Sequence, residues 1–352
     1  MITFFTPITA MAVSGMTTDR LAMVGLSLLL ALGISLALTP VAMKIAIAAG
    51  VMDRPHARRV HTKPTPRWGG LAMFTAFALT VLVIALVRLF VIEERFGDVF
   101  NRQVAGILLG GLLMTTIGAL DDKYNVPAKL KLLGQLLAAS ILVLPCFAVQ
   151  FMVIFNVDLV SKHHPNPTLW VLSAVLTILW VVAVTNTINL IDGLDGLAAG
   201  ISGIAALTFI IISVAIKGTF GEALLAAAVL GACLGFLRYN FHPAKVFMGD
   251  AGSHFLGFTI AALSILQNWK VATGVAFAIP MLILAVPIFD TLFAIVRRLR
   301  RGQPIFSPDK GHLHHRLLNL GLNQRTVVLM IYLLTAIGCA LALLLTRTRP
   351  WN

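Results

Sequence analysis

Residues 168–197 read TLWVLSAVLTILWVVAVTNTINLIDGLDGL. The stretch 168–190 is apolar and uncharged, and a helix that crosses a bilayer needs about 20 mostly apolar residues. It runs into Asn189-Leu190-Ile191-Asp192-Gly193-Leu194-Asp195-Gly196-Leu197. If this segment is helical, Asn189, Asp192 and Asp195, spaced by three, share one face. The glycines argue instead for an interrupted helix, whose freed backbone groups are tolerated at membrane depth only where they line a cavity. The plainer alternative is a short polar turn whose acids are hydrated.

The rest of the chain has the same character. Of 352 residues, 59% are hydrophobic and 12% charged, against roughly 25% charged in an ordinary soluble domain. Mean hydropathy is +0.93. A soluble globular enzyme, a disordered protein and a nucleic-acid binder are excluded. Ten apolar runs are candidate crossings: about 21–50, 69–92, 103–120, 128–149, 168–190, 197–216, 221–241, 251–267, 272–296 and 325–346. The expected fold is therefore all-α: a polytopic membrane protein of about ten transmembrane helices, forming a single integral membrane domain over 1–352. The N-terminus has no basic n-region or evident cleavage site, so no removable signal peptide is expected. Cys146, Cys233 and Cys339 lie in apolar runs, which argues against a disulfide framework.

The formal net charge of +13 is first a matter of topology, because Lys and Arg collect in cytoplasmic loops. Loops after odd-numbered runs, with Lys44, hold 18 of the 27 basic residues. Those loops, 51–68 and 297–324 among them, are expected in the cytoplasm and both termini outside. Acids and histidines crowd onto the same side without that reason. Asp53, Asp121, Asp122, Asp192, Asp195, Asp250, Asp290 and Asp309 map there, with seven of nine histidines. A carboxylate inside the bilayer is costly, so this concentration points to a polar site at the cytoplasmic face.

Four further stretches could carry chemistry. Gly118-Ala119-Leu120-Asp121-Asp122-Lys123 sets two carboxylates side by side at a helix end. They suit a divalent metal or an acid working as base or nucleophile; a hydrated end neutralised by Lys123 is the alternative. Phe247-Met248-Gly249-Asp250-Ala251-Gly252-Ser253 lets backbone approach a ligand and offers helix-start N–H groups to phosphate, or is simply a capped start. Phe247 is either a stacking surface or an interfacial anchor. Arg297-Arg298-Leu299-Arg300-Arg301 is the pattern of a positive-inside anchor. His312-Leu313-His314-His315 could bind zinc, yet the surrounding carboxylates favour magnesium or manganese, and imidazoles beside arginines suit a diphosphate. Asp290 serves equally as a helix-orienting or a functional acid. The loop from Asp53 to Gly70, with His56, Arg58, Arg59, His61 and Lys63, is either a flap over an anionic substrate or an anchor. No Walker-type loop, dinucleotide fingerprint or nucleophilic Ser or Cys motif is found.

Together, the DDK at Asp121, NLIDGLDGL from Asn189, FMGDAGS from Phe247 and HLHH from His312 resemble the polyprenyl-phosphate N-acetylhexosamine-1-phosphate transferases, glycosyltransferase family 4. The resemblance runs from about Asp53 to His315 with the motifs in family order. It implies transfer of a sugar-1-phosphate from a cytoplasmic UDP-sugar to polyprenyl phosphate, giving polyprenyl-diphospho-sugar and UMP, in a bacterial inner membrane. HLHH preceded by FSPDKG is similar to the branch that uses UDP-N-acetylglucosamine. The muramoyl-pentapeptide branch shows three consecutive histidines, and Arg316 stands at the third position here. By the same resemblance Asp250 is the principal magnesium ligand, with Asn189 or the Asp121–Asp122 pair nearby and manganese suited to the same donors. Phe247 stacks on uracil, and Asp192 and Asp195 hold the nucleoside side. Arg298, His312, His314 and His315 hold the diphosphate, and Asp121, Asp122, His314 and His315 are the candidate catalytic residues. The lipid phosphate enters sideways from the bilayer, and homodimers are what the family suggests. A phosphate monoester is already largely ionised at pH 7, its second pKa being about 6, so direct attack by the lipid phosphate is favoured over a covalent phospho-enzyme. The rival from another class is an ion-coupled transporter, which would place its acids at the bilayer centre in related halves.

Overall fold

The computed structural model describes residues 18–54, 64–87, 102–144, 146–147, 149, 153–154, 157–158, 166–217, 219–267, 275–300, 302 and 312–347. His56, Arg58, Arg59, His61 and Lys63 of the first basic loop, Arg301, Asp309 and the FSPDKG segment lie outside the described residues.

In lipid every backbone group must be satisfied within its own segment, so long apolar runs become helices. Each of the ten runs contains helix: α1 (Thr18–Ala48), α2 (Gly69–Val87), α3 (Arg102–Tyr124), α4 (Ala128–Val143), α5 (Pro167–Ile191), α6 (Leu197–Ile211), α7 (Phe220–Asn240), α8 (Gly249–Leu266), α9 (Val275–Ile283) with α10 (Ala285–Arg300), and, after the short α11 (Leu313–Asn319), α12 (Gln324–Arg347). A wide turn, Ile212–Lys217, extends α6. Two small antiparallel pairs complete the described elements: β1 (Met52–Asp53) with β2 (Thr65–Pro66), and β3 (Val153–Ile154) with β4 (Val157–Asp158).

Among the described residues seven helices are long and apolar enough to cross a membrane: α1, α2, α3, α5, α6 with its extension, α7 and α12. The other three runs are helical but fall outside that group, so the structure establishes a multi-pass all-α protein without establishing ten crossings. α4 has only 16 residues, α8 has 18, and the run 272–296 is divided at Leu284. α1, by contrast, has 31 residues, or about 46 Å at 1.5 Å per residue, more than one crossing requires.

Helix association in lipid relies on close packing by small residues and on interhelical hydrogen bonds. α1 and α7 use both. Ser27 Oγ donates to Leu224 O (2.9 Å) and Ser35 Oγ to Ala232 O (2.8 Å). A Cβ at Gly235 would stand 2.7 Å from Leu32 O. α8 is buried along its length from Ala251 to Ile265, as expected of a helix apolar on all sides. Gly252 meets Gly70 of α2, and the Gly118 face of α3 lies against the Asp250–Ala251 backbone. A Cβ on Gly257 would lie 2.5 Å from Thr185 Cα of α5. Large apolar side chains such as Leu29, Leu179 and Leu333 point outward instead, each more than half exposed.

Candidate active site

The acids of the DDK motif occupy the last turn of α3, and their surroundings differ. Asp122 faces inward, its side chain wholly buried. Its carboxylate accepts from the backbone N–H of Asp250 (3.0 Å) and Ala251 (3.3 Å), so it caps α8 from another helix. Such unsatisfied N–H groups at a helix start attract anionic acceptors. Gly249 makes the approach possible: it has φ +68°, and a Cβ there would collide with the Asp122 carboxylate. Arg67, between β2 and α2, balances the charge, reaching Asp122 (3.6 Å) and Asp53 (3.3 Å).

Asp121 turns the other way. Lys131, in the first turn of α4, places Nζ 2.8 Å from Asp121 Oδ2 and 3.5 Å from Asp250 Oδ2. Asp250 Oδ1 accepts from Asn189 Nδ2 (3.1 Å), and the same amide nitrogen donates to Ser253 Oγ (2.8 Å). Both hydrogens of the Asn189 amide are thereby used. Four helices, α3, α4, α5 and α8, thus deliver two carboxylates, one amide N–H and one ammonium to a single point.

That point fits a hard divalent cation. Among the described residues no group of three or more His, Cys, Asp or Glu is arranged to hold a metal by itself. Magnesium does not require one, since it is usually held by one or two carboxylates with waters and substrate phosphates. Asp121 and Asp250 already share one positive charge, that of Lys131.

The NLIDGLDGL segment forms the end of α5, a turn and the start of α6. The helix is interrupted, as its glycines suggested. Asp192 is the C-cap residue of α5. Asp195 Oδ2 takes up His242 Nδ1 (2.7 Å) and the Ala244 N–H (3.0 Å), so this acid organises the α7–α8 loop. Arg325 Nε donates to His242 O (3.2 Å) and the Tyr332 hydroxyl to Gly196 O (2.6 Å), tying α12 to the same turn. The loop ends at the half-buried Phe247, whose N–H donates to Pro66 O (2.9 Å) and whose carbonyl accepts from Gly69 N–H (3.0 Å).

The imidazoles form a second cluster. Asp290 of α10 accepts from His312 Nδ1 (2.9 Å) and from the Leu313 N–H (2.7 Å), so it starts α11. His312 and His314 lie parallel, centroids 5.8 Å apart, and His315 packs 4.3 Å from His314. Arg298 is buried at the end of α10. The His314 ring faces Gly193, where a Cβ would stand 2.6 Å from Nε2. Burial pulls His314 down to about 3, its neighbour His315 acting in the same direction against Asp290, so the ring is neutral at pH 7.

The two clusters meet at one turn, Asn189 belonging to the acids and Gly193 touching the imidazoles. Asp121, Asn189 and Asp250 are therefore connected to His314 through the turn at the end of α5. The sequence did not single out Lys131, which counts there only as a positive-inside charge, and it took Arg67 only as part of the Asp53–Gly70 loop, a flap or an anchor. Lys131 does carry one signal, a cation in the first turn after a helix that ends in two acids.

Similarity to known proteins agrees with this geometry. The description "Glycosyl transferase family 4" fits residues 104–268, which contain Asp121, Asn189 and Asp250. A Bacillus subtilis protein named probable undecaprenyl-phosphate N-acetylglucosaminyl 1-phosphate transferase is 41% identical over 96% of this chain and 88% of its own length. Decaprenyl-phosphate N-acetylglucosaminephosphotransferase of Mycobacterium tuberculosis is 37% identical over 93% of this chain and 83% of its own. Undecaprenyl-phosphate alpha-N-acetylglucosaminyl 1-phosphate transferase of Salmonella typhi is 29% identical over 84% and 77%.

Proposed function

The chain belongs to glycosyl transferase family 4, and we propose that it transfers N-acetylglucosamine-1-phosphate from UDP-N-acetylglucosamine to a polyprenyl phosphate. An oxygen of the lipid phosphate attacks the β-phosphorus of the UDP-sugar. The bond from that phosphorus to the bridging oxygen breaks, and UMP departs with the bridging oxygen. The products are polyprenyl-diphospho-N-acetylglucosamine and UMP.

The observation that carries this reading is the meeting of Asp121, Asp250, Asn189 and Lys131 at the helix ends, one turn of chain from the buried imidazoles. Asp250 and Asp121 would hold magnesium, with Asn189 beside them orienting Asp250 through its amide N–H; the metal, when bound, would neutralise charge on the diphosphate. Lys131 is placed to follow the negative charge from carboxylate to phosphate. Asp122 keeps the α8 N-terminus aimed at the same point. On the other side His312, His314, His315 and Arg298 meet the diphosphate, and Phe247 with Asp192 lines the nucleoside end. Asp195 acts there through the loop it holds. Because charge is to be compensated rather than a proton removed, direct attack needs no covalent enzyme intermediate. The bias of basic residues supports a cytoplasmic orientation of this face, on the side where UDP-sugars are made, and a bacterial plasma membrane is the proposed location.

The test is UMP release by the purified protein in detergent, with polyprenyl phosphate and competing UDP-sugars, with and without magnesium. Magnesium-dependent UMP release and a lipid product of the mass of polyprenyl-diphospho-N-acetylhexosamine are expected. No release with any UDP-sugar rejects the transferase, and a muramoyl-pentapeptide lipid product rejects the sugar.

A further inference from the structure

A second polar layer lies directly beneath the acid cluster, made by the same three helices. On α4, Gln135 follows Lys131 by four residues; on α5, Asn186 precedes Asn189 by three; on α8, His254 follows Asp250 by four. Residues so spaced stack on one helix face about one turn apart. In the upper triangle Asp250 contacts both Lys131 and Asn189, and in the lower one Gln135 is likewise the shared partner. Its bonds are Asn186 Nδ2 to Gln135 Oε1 (2.7 Å), Gln135 Nε2 to Asn186 Oδ1 (3.4 Å) and Gln135 Nε2 to His254 Nε2 (3.4 Å). Gln135 and His254 are each 2% exposed.

The hydrogen-bond directions in the lower triangle are dictated by one carbonyl. Val182 O can only accept, and it takes Asn186 Nδ2 at 2.8 Å, which fixes the Asn186 amide. Gln135 must then turn its oxygen to that nitrogen and its own Nε2 toward His254. An amide N–H only donates, so His254 Nε2 is the acceptor and the ring proton sits on Nδ1. Among the described residues Nδ1 is buried with no partner, and an unsatisfied buried donor costs about 1–3 kcal/mol. A phenylalanine would escape that penalty while filling the same space. Packing alone therefore does not account for the imidazole, whereas locking the Gln135 amide does.

Given the proposed transfer reaction, we infer that Gln135, Asn186 and His254 are positioning residues. By fixing the rotation of α4, α5 and α8 about their axes, the lower triangle sets the spacing of Lys131, Asn189 and Asp250 above it. None of the three touches substrate. Their effect is on the transition state, where outer partners of a charged site are typically worth about tenfold or more.

The experiment compares wild type, His254→Phe, His254→Gln and Gln135→Leu in detergent, measuring kcat and KM for UDP-N-acetylglucosamine alongside thermal unfolding. For His254→Phe and Gln135→Leu kcat should fall about tenfold with KM changed less than about twofold. The melting temperature of His254→Phe should change little, because the orphaned Nδ1 donor is exchanged for a Gln135 N–H that has lost its acceptor. His254→Gln, which restores an acceptor for the Gln135 amide, should recover most of the lost kcat. Full turnover in His254→Phe overturns the inference. So does a loss of kcat that tracks a fall in melting temperature without recovery in His254→Gln. If wild type itself releases no UMP, the proposed function fails instead, and the two failures are thereby distinguished.

Discussion

The acid cluster and the imidazole cluster meet at one turn of chain and are built on opposite principles. Around Asp121, Asp122 and Asp250 each carboxylate is met by a partner from another helix: Lys131, the α8 backbone and Arg67, or Asn189. Around His314 the acid Asp290 is spent on starting α11 and holding His312, while the His314 ring is buried and neutral. The first region is charged and preorganised, so it suits a cation and a phosphoryl group. The second has the neutral His314 ring at its centre, so that imidazole serves as a hydrogen-bonding group. A diphosphate held between the two would meet carboxylate-bound cations on one side and, on the other, a neutral ring with the buried Arg298 in the same cluster.

That contrast can be broken from either side. The largest effect is expected for Asp250→Ala, which removes the acid shared by Lys131 and Asn189. Magnesium-dependent UMP release should fall about 10³-fold, the scale on which preorganised electrostatic groups act. Asp121→Asn should leave UDP-N-acetylglucosamine binding largely intact by calorimetry, since Asp250 and Asn189 remain. Near-normal turnover by Asp250→Ala would remove the metal assignment. A smaller effect follows from His314. Its folded pKa lies below the ordinary value of 6.5, so the unfolded chain takes up a proton that the folded one refuses. The stability it contributes is complete above about pH 6.5 and is lost as pH falls toward about 3, at about 1.4 kcal/mol per pH unit. Thermal unfolding at pH 7 and pH 5 should show this loss, and His314→Gln should flatten it. An unchanged slope in that variant would place the titration elsewhere. Smallest is Asp290→Asn, which keeps an acceptor for the Leu313 N–H but weakens the hold on His312. It should raise KM for UDP-N-acetylglucosamine a few-fold at nearly constant kcat, and lower stability by about 1 kcal/mol.

Much of this was legible in the sequence because the two relevant signals are local. Apolar length marked where the helices form, and Asn189, Asp192 and Asp250 stood out as polar groups where apolar runs end. The interruption at Gly193 and Gly196 was likewise visible. What stayed hidden depends on which helix faces which. Asp122 caps a helix 128 positions downstream, and Asp195 pairs with His242 47 positions away, so neither role has a local signature. Gln135, Asn186 and His254 lie inside apolar runs, where one polar residue ordinarily means nothing beyond its own satisfaction. Lys131 was obscured by a competing explanation, because basic residues between apolar runs are expected for topological reasons alone.

The Asp121–Lys131 pair spans only ten positions and closes the hairpin of α3 and α4 across the three residues 125–127. This gives the acids a counter-ion encoded in the next stretch of chain to leave the ribosome. A hairpin that carries its own neutralising charge can enter the bilayer as a unit, with no free divalent ion needed during biogenesis.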